Sequence, residues 1–327
     1  MRTVLVTGAT GFLGSNLTAA LVRQGLHVRI LRRASSELRA LESADVEHRV
    51  GDVLDKQSVL NAVRGCDTVF HAAALVSYWK RQRAQLFATN VDGTRNVVEA
   101  CLELGVGKLV HTSSVAAIGF PSGKAPADES TVFNWEPYDV GYRISKHRAE
   151  QEVLRGVKLG LPAVIVNPSV IIGERDIHFN GGQIVRDVYR KRLFYYVQGG
   201  ISVAYVGDIV HGHLMAARQG RSGERYILSG ENLTHKQLLS VTAEVVGGLK
   251  PAVKLPMWFA KGLAAVSETI GNVSNTKPWI ARELVAGLDL ICWFSCEKAK
   301  RELGYSVTPF RTAVQRTFEW YKRNSLL

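Results

Sequence analysis

The chain has 327 residues, of which 46% are hydrophobic and 21% charged, a composition that excludes disorder and leaves ample length for a buried core. Its formal net charge of +12 suits an anionic ligand or surface, but the basic residues are scattered and no aromatic-interleaved basic stripe marks a nucleic-acid site. No uncharged apolar run reaches the roughly 18 residues that span a bilayer.

Met1-Arg2-Thr3 runs straight into an apolar strand without the regions of a signal peptide. The four cysteines, Cys66, Cys101, Cys292 and Cys296, form no Cys-x-x-Cys pair, so neither a metal site nor a disulfide scaffold is expected. Cys292 and Cys296 are spaced to share a helix face as packing residues. A reducing cytoplasm is the expected location.

In chain order, residues 3–7 are a short β-branched run, the pattern of a strand buried on both faces. Gly8, Gly11 and Gly14 follow, interleaved with Thr10, Phe12 and Leu13, and residues 15–24 read as a helix closed by Gly25. A strand, glycine turn and helix in that order offer unpaired N–H groups and a positive helix end to a pyrophosphate. Strand 27–31 ends in Arg32-Arg33. An NAD site would carry a carboxylate near here for the ribose 2′-OH, whereas two guanidinium groups suit a 2′-phosphate, so NADP(H) is expected rather than NAD(H).

Alternation continues with strand 46–51, helix 56–63, strand 67–71, helix 87–104, strand 108–112, helix 139–159 and strand 163–167. The implied fold class is α/β, a Rossmann-type doubly wound parallel sheet. Ligands of such sheets lie beyond the carboxyl ends of the strands, where Gly8, Asp52, Ala72, Ser113, Ser114 and Pro168 fall. The helix at 139–159 carries Tyr142 and Lys146 four residues apart, so their β-carbons lie about 5–6 Å apart on one face. A phenol beside an ammonium ionises more readily and can exchange a proton with a substrate oxygen.

These residues resemble the extended short-chain dehydrogenase/reductases. The match rests on Thr-Gly-Ala-Thr-Gly-Phe-Leu-Gly (7–14), Gly-Asp-Val (51–53), His-Ala-Ala-Ala (71–74), Asn-Val-Asp-Gly-Thr (90–94), Thr-Ser-Ser-Val (112–115), Tyr-Arg-Ile-Ser-Lys (142–146), Asn-Pro-Ser (167–169) and Lys-Ala-Lys-Arg-Glu-Leu-Gly-Tyr (298–305). Within that family the chain is most similar to dihydroflavonol-reductase-like and hopanoid-associated sugar epimerase proteins. The resemblance implies a Ser114-Tyr142-Lys146 triad, with Tyr142 as general acid/base, Lys146 binding the nicotinamide ribose and lowering the tyrosine pKa, and Ser114 holding the substrate oxygen. It also implies cofactor contacts at Asp52 and Val53 for the adenine, Ala72, Ala73 and Ala74 for the pyrophosphate and ribose, Asn90 as a brace, Thr112 and Ser113 beside the site, and Pro168 and Ser169 at the carboxamide. Helices 87–104 and 139–159 form a homodimer interface in many relatives.

Departures from the family patterns narrow the chemistry. Val115-Ala116 stand where a 4,6-dehydratase carries Asp-Glu. Ile165-Val166 precede Asn167 where nucleotide-sugar epimerases usually place an arginine, and Asn180 and Arg186 read as solvated helix residues before diphosphate ligands. A reductase or dehydrogenase that exchanges NADP(H) is favoured over the alternative, a nucleotide-sugar epimerase with retained NAD.

Residues 1–172, with 200–222 returning to them, are expected to bind the dinucleotide, and 173–327 mainly the substrate. Further strands are expected at 194–197, 203–206 and 226–228, and helices at 208–219, 233–246, 256–270 and 310–323. Substrate contacts are expected from Val76, Trp79, Ala116, Asn167 and Tyr195, with Gly181 and Gly182 at the same crevice. That lining suits a bulky, apolar or polyphenolic small molecule. The helix at 256–270 is apolar all round with a single lysine, as fits packing against the smaller region or contact with a membrane surface.

Overall fold

The computed structural model describes residues 3–41, 44–121, 123 and 125–327; the start at Met1-Arg2, read above as carrying no signal peptide, lies outside them. β1 (Thr3–Thr7) passes through the glycine turn into α1 (Phe12–Arg23), followed by β2 (His27–Arg32), β3 (Glu47–Val50), α2 (Lys56–Val63) and β4 (Thr68–His71). Next come α3 (Arg83–Phe87), a π-helical stretch at Ala88–Asp92, α4 (Gly93–Glu103), β5 (Lys108–Thr112), α5 (Gly141–Lys158) and β6 (Ala163–Pro168). The remainder comprises β7 (Val170–Ile172), α6 (Gln183–Tyr189), β8 (Tyr195–Tyr196), β9 (Gly200–Tyr205), α7 (Val206–Gln219), β10 (Arg225–Leu228), β11 (Glu231–Thr234) and α8 (His235–Val246), then β12 (Val253–Lys254), α9 (Met257–Ser274), α10 (Arg282–Val285), β13 (Ile291–Cys292), α11 (Glu297–Leu303) and α12 (Phe310–Arg323).

A seven-stranded sheet runs β10-β6-β5-β4-β1-β2-β3, every neighbouring pair parallel. This is the Rossmann-type arrangement read from the alternating pattern. The two-residue period of a strand sends Val4 and Val6 into one core with Leu17, Leu21 and Ile209, while Leu5 joins Val59, Val97 and Val153 on the other face. β6 is buried along its whole length. β3 forms one edge and is charged and largely exposed, with Glu47 pairing with Arg29 and Arg49, which discourages pairing with another chain.

The second sheet is centred on β9, with β11 antiparallel and β7 and β13 parallel to it, and packs a separate core against α6, α8 and α12. Within 200–222, β9 stands in this second sheet and α7 lies over the central one; the strand that rejoins the central sheet is β10.

Several elements differ from expectation. α1 starts at Phe12 rather than residue 15, because Gly11 takes the extended N-cap conformation and Phe12 is already buried. The helix expected at 233–246 is split: β11 runs to Thr234, which caps α8 in a box with Gln237. The helix expected from 87 starts at Arg83 and passes through the π-helical stretch. The strand expected at 194–197 shrinks to Tyr195–Tyr196, and the one at 203–206 runs from Gly200 to Tyr205, with Val206 opening α7. Cys292 lies in β13 and Cys296 caps α11, so they share no helix face. All four thiols are free, and burial pushes each pKa up.

Candidate active site

The glycine turn is built by contact with the end of β4. Gly8 has φ +71°, and a β-carbon there would lie 2.6 Å from the Ala73 nitrogen and 2.7 Å from the Ala72 carbonyl carbon. At Gly14 it would lie 2.1 Å from the Gly8 oxygen. Gly11 caps α1 without a side-chain bond, so the N–H groups of the first turn, flanked by Thr10, Phe12 and Leu13, keep their donor capacity for an anion. Thr7 Oγ1 ties the turn to β4, accepting from Ala73 N at 3.2 Å and bonding His71 Nδ1 at 2.7 Å.

At the end of β2, Arg32 Nε bonds His48 Nδ1 at 2.9 Å, and Arg33 is exposed. Asp52 spends its carboxylate on the Leu54 N–H at 3.0 Å, while Val53 is buried against Gly93. Ala72 and Ala73 are partly buried and Ala74 is exposed.

Three chemically active side chains meet beyond β5. Ser114 follows the strand and caps the 3-10 turn at Val115–Ala117, accepting from Ala116 N at 3.1 Å. The start of α5 is held by Glu283, whose carboxylate accepts the Gly141 N–H at 2.8 Å, so Tyr142 and Lys146 face inward one turn apart. The Ser114 hydroxyl lies near enough to the Tyr142 phenol to favour the phenolate. Burial, and secondly the neighbouring Tyr78, nevertheless push the Tyr142 pKa up; the Tyr78 ring meets it edge-on at 5.6 Å. Lys146 was expected to lower this pKa, but it is not among the groups acting on the phenol. Its ammonium points instead to the Thr112 carbonyl at 2.8 Å, buried, with its own pKa drawn down to about 8 by desolvation against the opposing charge of Glu150.

Behind Ser114, Tyr142 and Lys146 stands a buried polar frame. Asn90 spans the 75–78 loop and α5: its Oδ1 accepts Leu75 N at 2.8 Å, and its Nδ2 donates to Leu75 O at 3.0 Å and Ser145 Oγ at 2.9 Å. Asn167 is fully buried and donates to the Ser114 carbonyl at 3.0 Å and Glu150 at 2.6 Å. It braces Ser114 from within the sheet, and its Oδ1 is buried with no partner among the described residues. Ser113 Oγ and Ser169 Oγ are buried with no partner among the described residues. Free hydroxyls at the ends of β5 and β6, together with the glycine cradle and the uncapped α1 terminus, fit a dinucleotide laid across the strand ends.

The matching family model, described as the NAD dependent epimerase/dehydratase family, covers residues 4–229. The chain belongs to this family. It is an NAD(P)-dependent enzyme, as its dehydrogenase, reductase and epimerase relatives are. It is 34% identical over 324 residues, 98% of this chain and 94% of the other, to a putative dihydroflavonol 4-reductase of Synechocystis sp.. It is 32% identical to sterol demethylase protein B of Methylococcus capsulatus, covering 99% of this chain and 100% of the other. The crystal structure of gox2253 superposes on this epimerase/dehydratase-family fold with a TM-score of 0.87 at 38% identity, covering 100% of both chains.

Of the residues expected to meet substrate, Val76 is exposed, Ala116 is buried beside Ser114, and Tyr195 lies in the small β8–β12 ribbon. Trp79 is buried and gives its indole N–H to Asn272 of α9 at 2.8 Å. Gly181 and Gly182 are fastened by their N–H groups to Asp176, and Gly182 packs on Tyr321, so they form a structural turn instead of the crevice lining expected. Asn180 also bonds Asp176, and Arg186 lies over Phe179 and pairs with Asp187. The sequence reading missed three histidines under Ser114, Tyr142 and Lys146. His71 and His111 lie 5.3 Å apart, and His213 Nε2 bonds Thr112 Oγ1 at 2.9 Å. Burial holds His71 near a pKa of about 3 and His213 near about 4, and drives His111 well below its usual value. Only their apolar neighbours in sequence signalled burial; their convergence needs α7 laid across β5.

Proposed function

We propose that this enzyme is an NADP(H)-dependent oxidoreductase acting on a carbonyl or secondary alcohol of a bulky, largely apolar molecule of dihydroflavonol, steroid or terpenoid type. The observation that carries this is the placement of Ser114, at the carboxyl end of β5, beside the Tyr142 phenol, with Lys146 one helical turn along α5. NADP(H), when bound, supplies or accepts the hydride. Tyr142 gives a proton to the substrate oxygen as its charge grows, and takes it back in the oxidative direction. Ser114 donates to the same oxygen, a preorganised dipole aimed where negative charge develops. Lys146, whose ammonium is held on the Thr112 carbonyl, binds the nicotinamide ribose in this reading.

The glycine turn, Ala72–Ala74, Asp52, Val53, Asn90, Thr112, Ser113, Pro168 and Ser169 form the cofactor trough, and Arg32 and Arg33 receive the 2′-phosphate. Residues 1–172, with the returning segment 200–222, carry the dinucleotide, and 173–327 mainly enclose the substrate around Val76, Trp79, Ala116 and Tyr195. The names of the Synechocystis and Methylococcus relatives, a putative dihydroflavonol 4-reductase and sterol demethylase protein B, support an apolar substrate. We assign a homodimer through α4 and α5, and the four free thiols suit a reducing cytoplasm.

The test is a panel of ketones of these classes and nucleotide sugars, followed by NADPH absorbance and product analysis. Oxidation of NADPH by bulky ketones is expected. Stoichiometric NAD carried through purification, with interconversion of nucleotide sugars, would establish epimerisation instead.

A further inference from the structure

The outer face of α9 is apolar and uncovered. Trp258 is 74% exposed, Val273 84% and Trp279, just past the helix, 62%. Phe259, Val266 and Ile270 are exposed as well, and the spacing 259, 266, 270, 273 keeps these side chains on one stripe of the helix. The buried side, Ala264, Ser267, Glu268 and Gly271, is the opposite one. A contiguous exposed apolar stripe of this size marks a contact surface.

The charge around the stripe selects the partner. Between residues 250 and 284 the exposed charged side chains are Lys250, Lys254, Lys261, Lys277 and Arg282, all cationic. The two acids of the segment, Glu268 and Glu283, are 5% and 6% exposed, and Glu268 spends its carboxylate on the Arg282 N–H at 2.7 Å. Tryptophans stand at both ends of the stripe, Lys277 and Arg282 follow the end of the helix, and Lys261 near its start projects from the other side. Among the described residues no helix is long and apolar enough to cross a membrane.

We propose that α9 lies flat on an anionic lipid surface, its aromatic and aliphatic stripe in the headgroup–acyl boundary and Lys277 and Arg282 on lipid phosphates. The inner side of the same helix reaches the active-site loop. Asn272 accepts from Trp79, and Asn275 accepts from Arg81 at 3.0 Å, while Tyr78, next to Trp79, packs on Tyr142. The docked surface therefore borders the loop that covers the phenol. On the apolar-substrate reading proposed above, that loop would meet a substrate arriving from lipid; the docking itself does not depend on that reading.

The experiment is sedimentation of the full chain with phosphatidylcholine vesicles, with and without phosphatidylglycerol, which needs no turnover and so fails independently of the proposed reaction. Pelleting with the anionic vesicles is expected, weakened by salt and largely absent with neutral ones. Lys277→Glu with Arg282→Glu should lower anionic binding by about tenfold or more. Trp258→Ser with Val273→Ser should do the same with an unchanged thermal melt; should that pair fail to fold, the charge-reversal pair still decides. No pelleting, equal binding to neutral and anionic vesicles, or a dimer by light scattering that the Trp258→Ser/Val273→Ser pair converts to monomer would overturn the proposal, the last by giving this face to a second copy of the chain.

Discussion

Lys146 Nζ donates to the Thr112 carbonyl at 2.8 Å from a position 3% exposed, and desolvation draws its pKa from 10.5 to about 8. Between those values the unfolded chain holds a proton that the folded chain has released. Stability contributed by this group therefore rises with pH from about 8 to about 10.5, and is at its lowest below 8. Lys146→Met has nothing to titrate. Urea unfolding of both proteins at pH 7 and pH 10 should show the wild type gaining on the variant by up to a few kcal/mol at the higher pH. A constant difference would contradict the desolvation of this ammonium.

Removing the hydroxyl of Ser114 should act on the reaction rather than on cofactor binding. Ser114→Ala is expected to lower kcat by about 10²–10³, the loss typical of one donor to a developing oxyanion. It also removes the hydroxyl whose proximity favours the Tyr142 phenolate, so the pH–rate limb of the oxidative direction should move to higher pH. Tyr142→Phe should abolish turnover with an NADPH dissociation constant nearly unchanged. Rapid kinetics and cofactor fluorescence titration separate the two effects.

On the proposed reading, cofactor choice rests on two cations. Arg33 is exposed, whereas Arg32 is also bonded to His48. Arg33→Ser alone should weaken NADPH by about tenfold, the worth of one charged hydrogen bond. Arg32→Asp with Arg33→Ser should reverse the preference to NADH, read from kcat/KM for both dinucleotides. Retained NADPH preference in the double variant would place the 2′-phosphate elsewhere.

Two glycines with the same backbone angle provide a controlled comparison. Gly8 and Gly25 have φ +71° and +72°, but a β-carbon at Gly25 meets nothing within 4 Å. Gly25→Ala should cost about 1 kcal/mol, the penalty of left-handed backbone alone. Gly8→Ala adds the collision with Ala72 and Ala73 and should cost clearly more while also losing dinucleotide binding. Thermal melts with and without NADPH measure both.

The parallel sheet was legible because its determinants are local. β-Branched runs such as 163–167 and the glycines after the first strand act within a few residues of one another, and helices 56–63 and 310–323 stand at their expected limits. The Tyr142–Lys146 spacing is likewise a property of one helix. Pairings between distant segments left no local mark. β11 reads as part of a helix until β9 pairs with it, and the Asn167 amide meets Ser114 and Glu150 only once the sheet has formed. The direction of the Tyr142 pKa was likewise a tertiary outcome: burial beneath Tyr78 outweighs the charge that the chain spacing promised. Sequence alone set which residues form each element and which reactive groups share a helix. Desolvation, and the matching of donors to acceptors across the sheet ends, set what those groups can do, because both depend on neighbours that only the folded chain brings near.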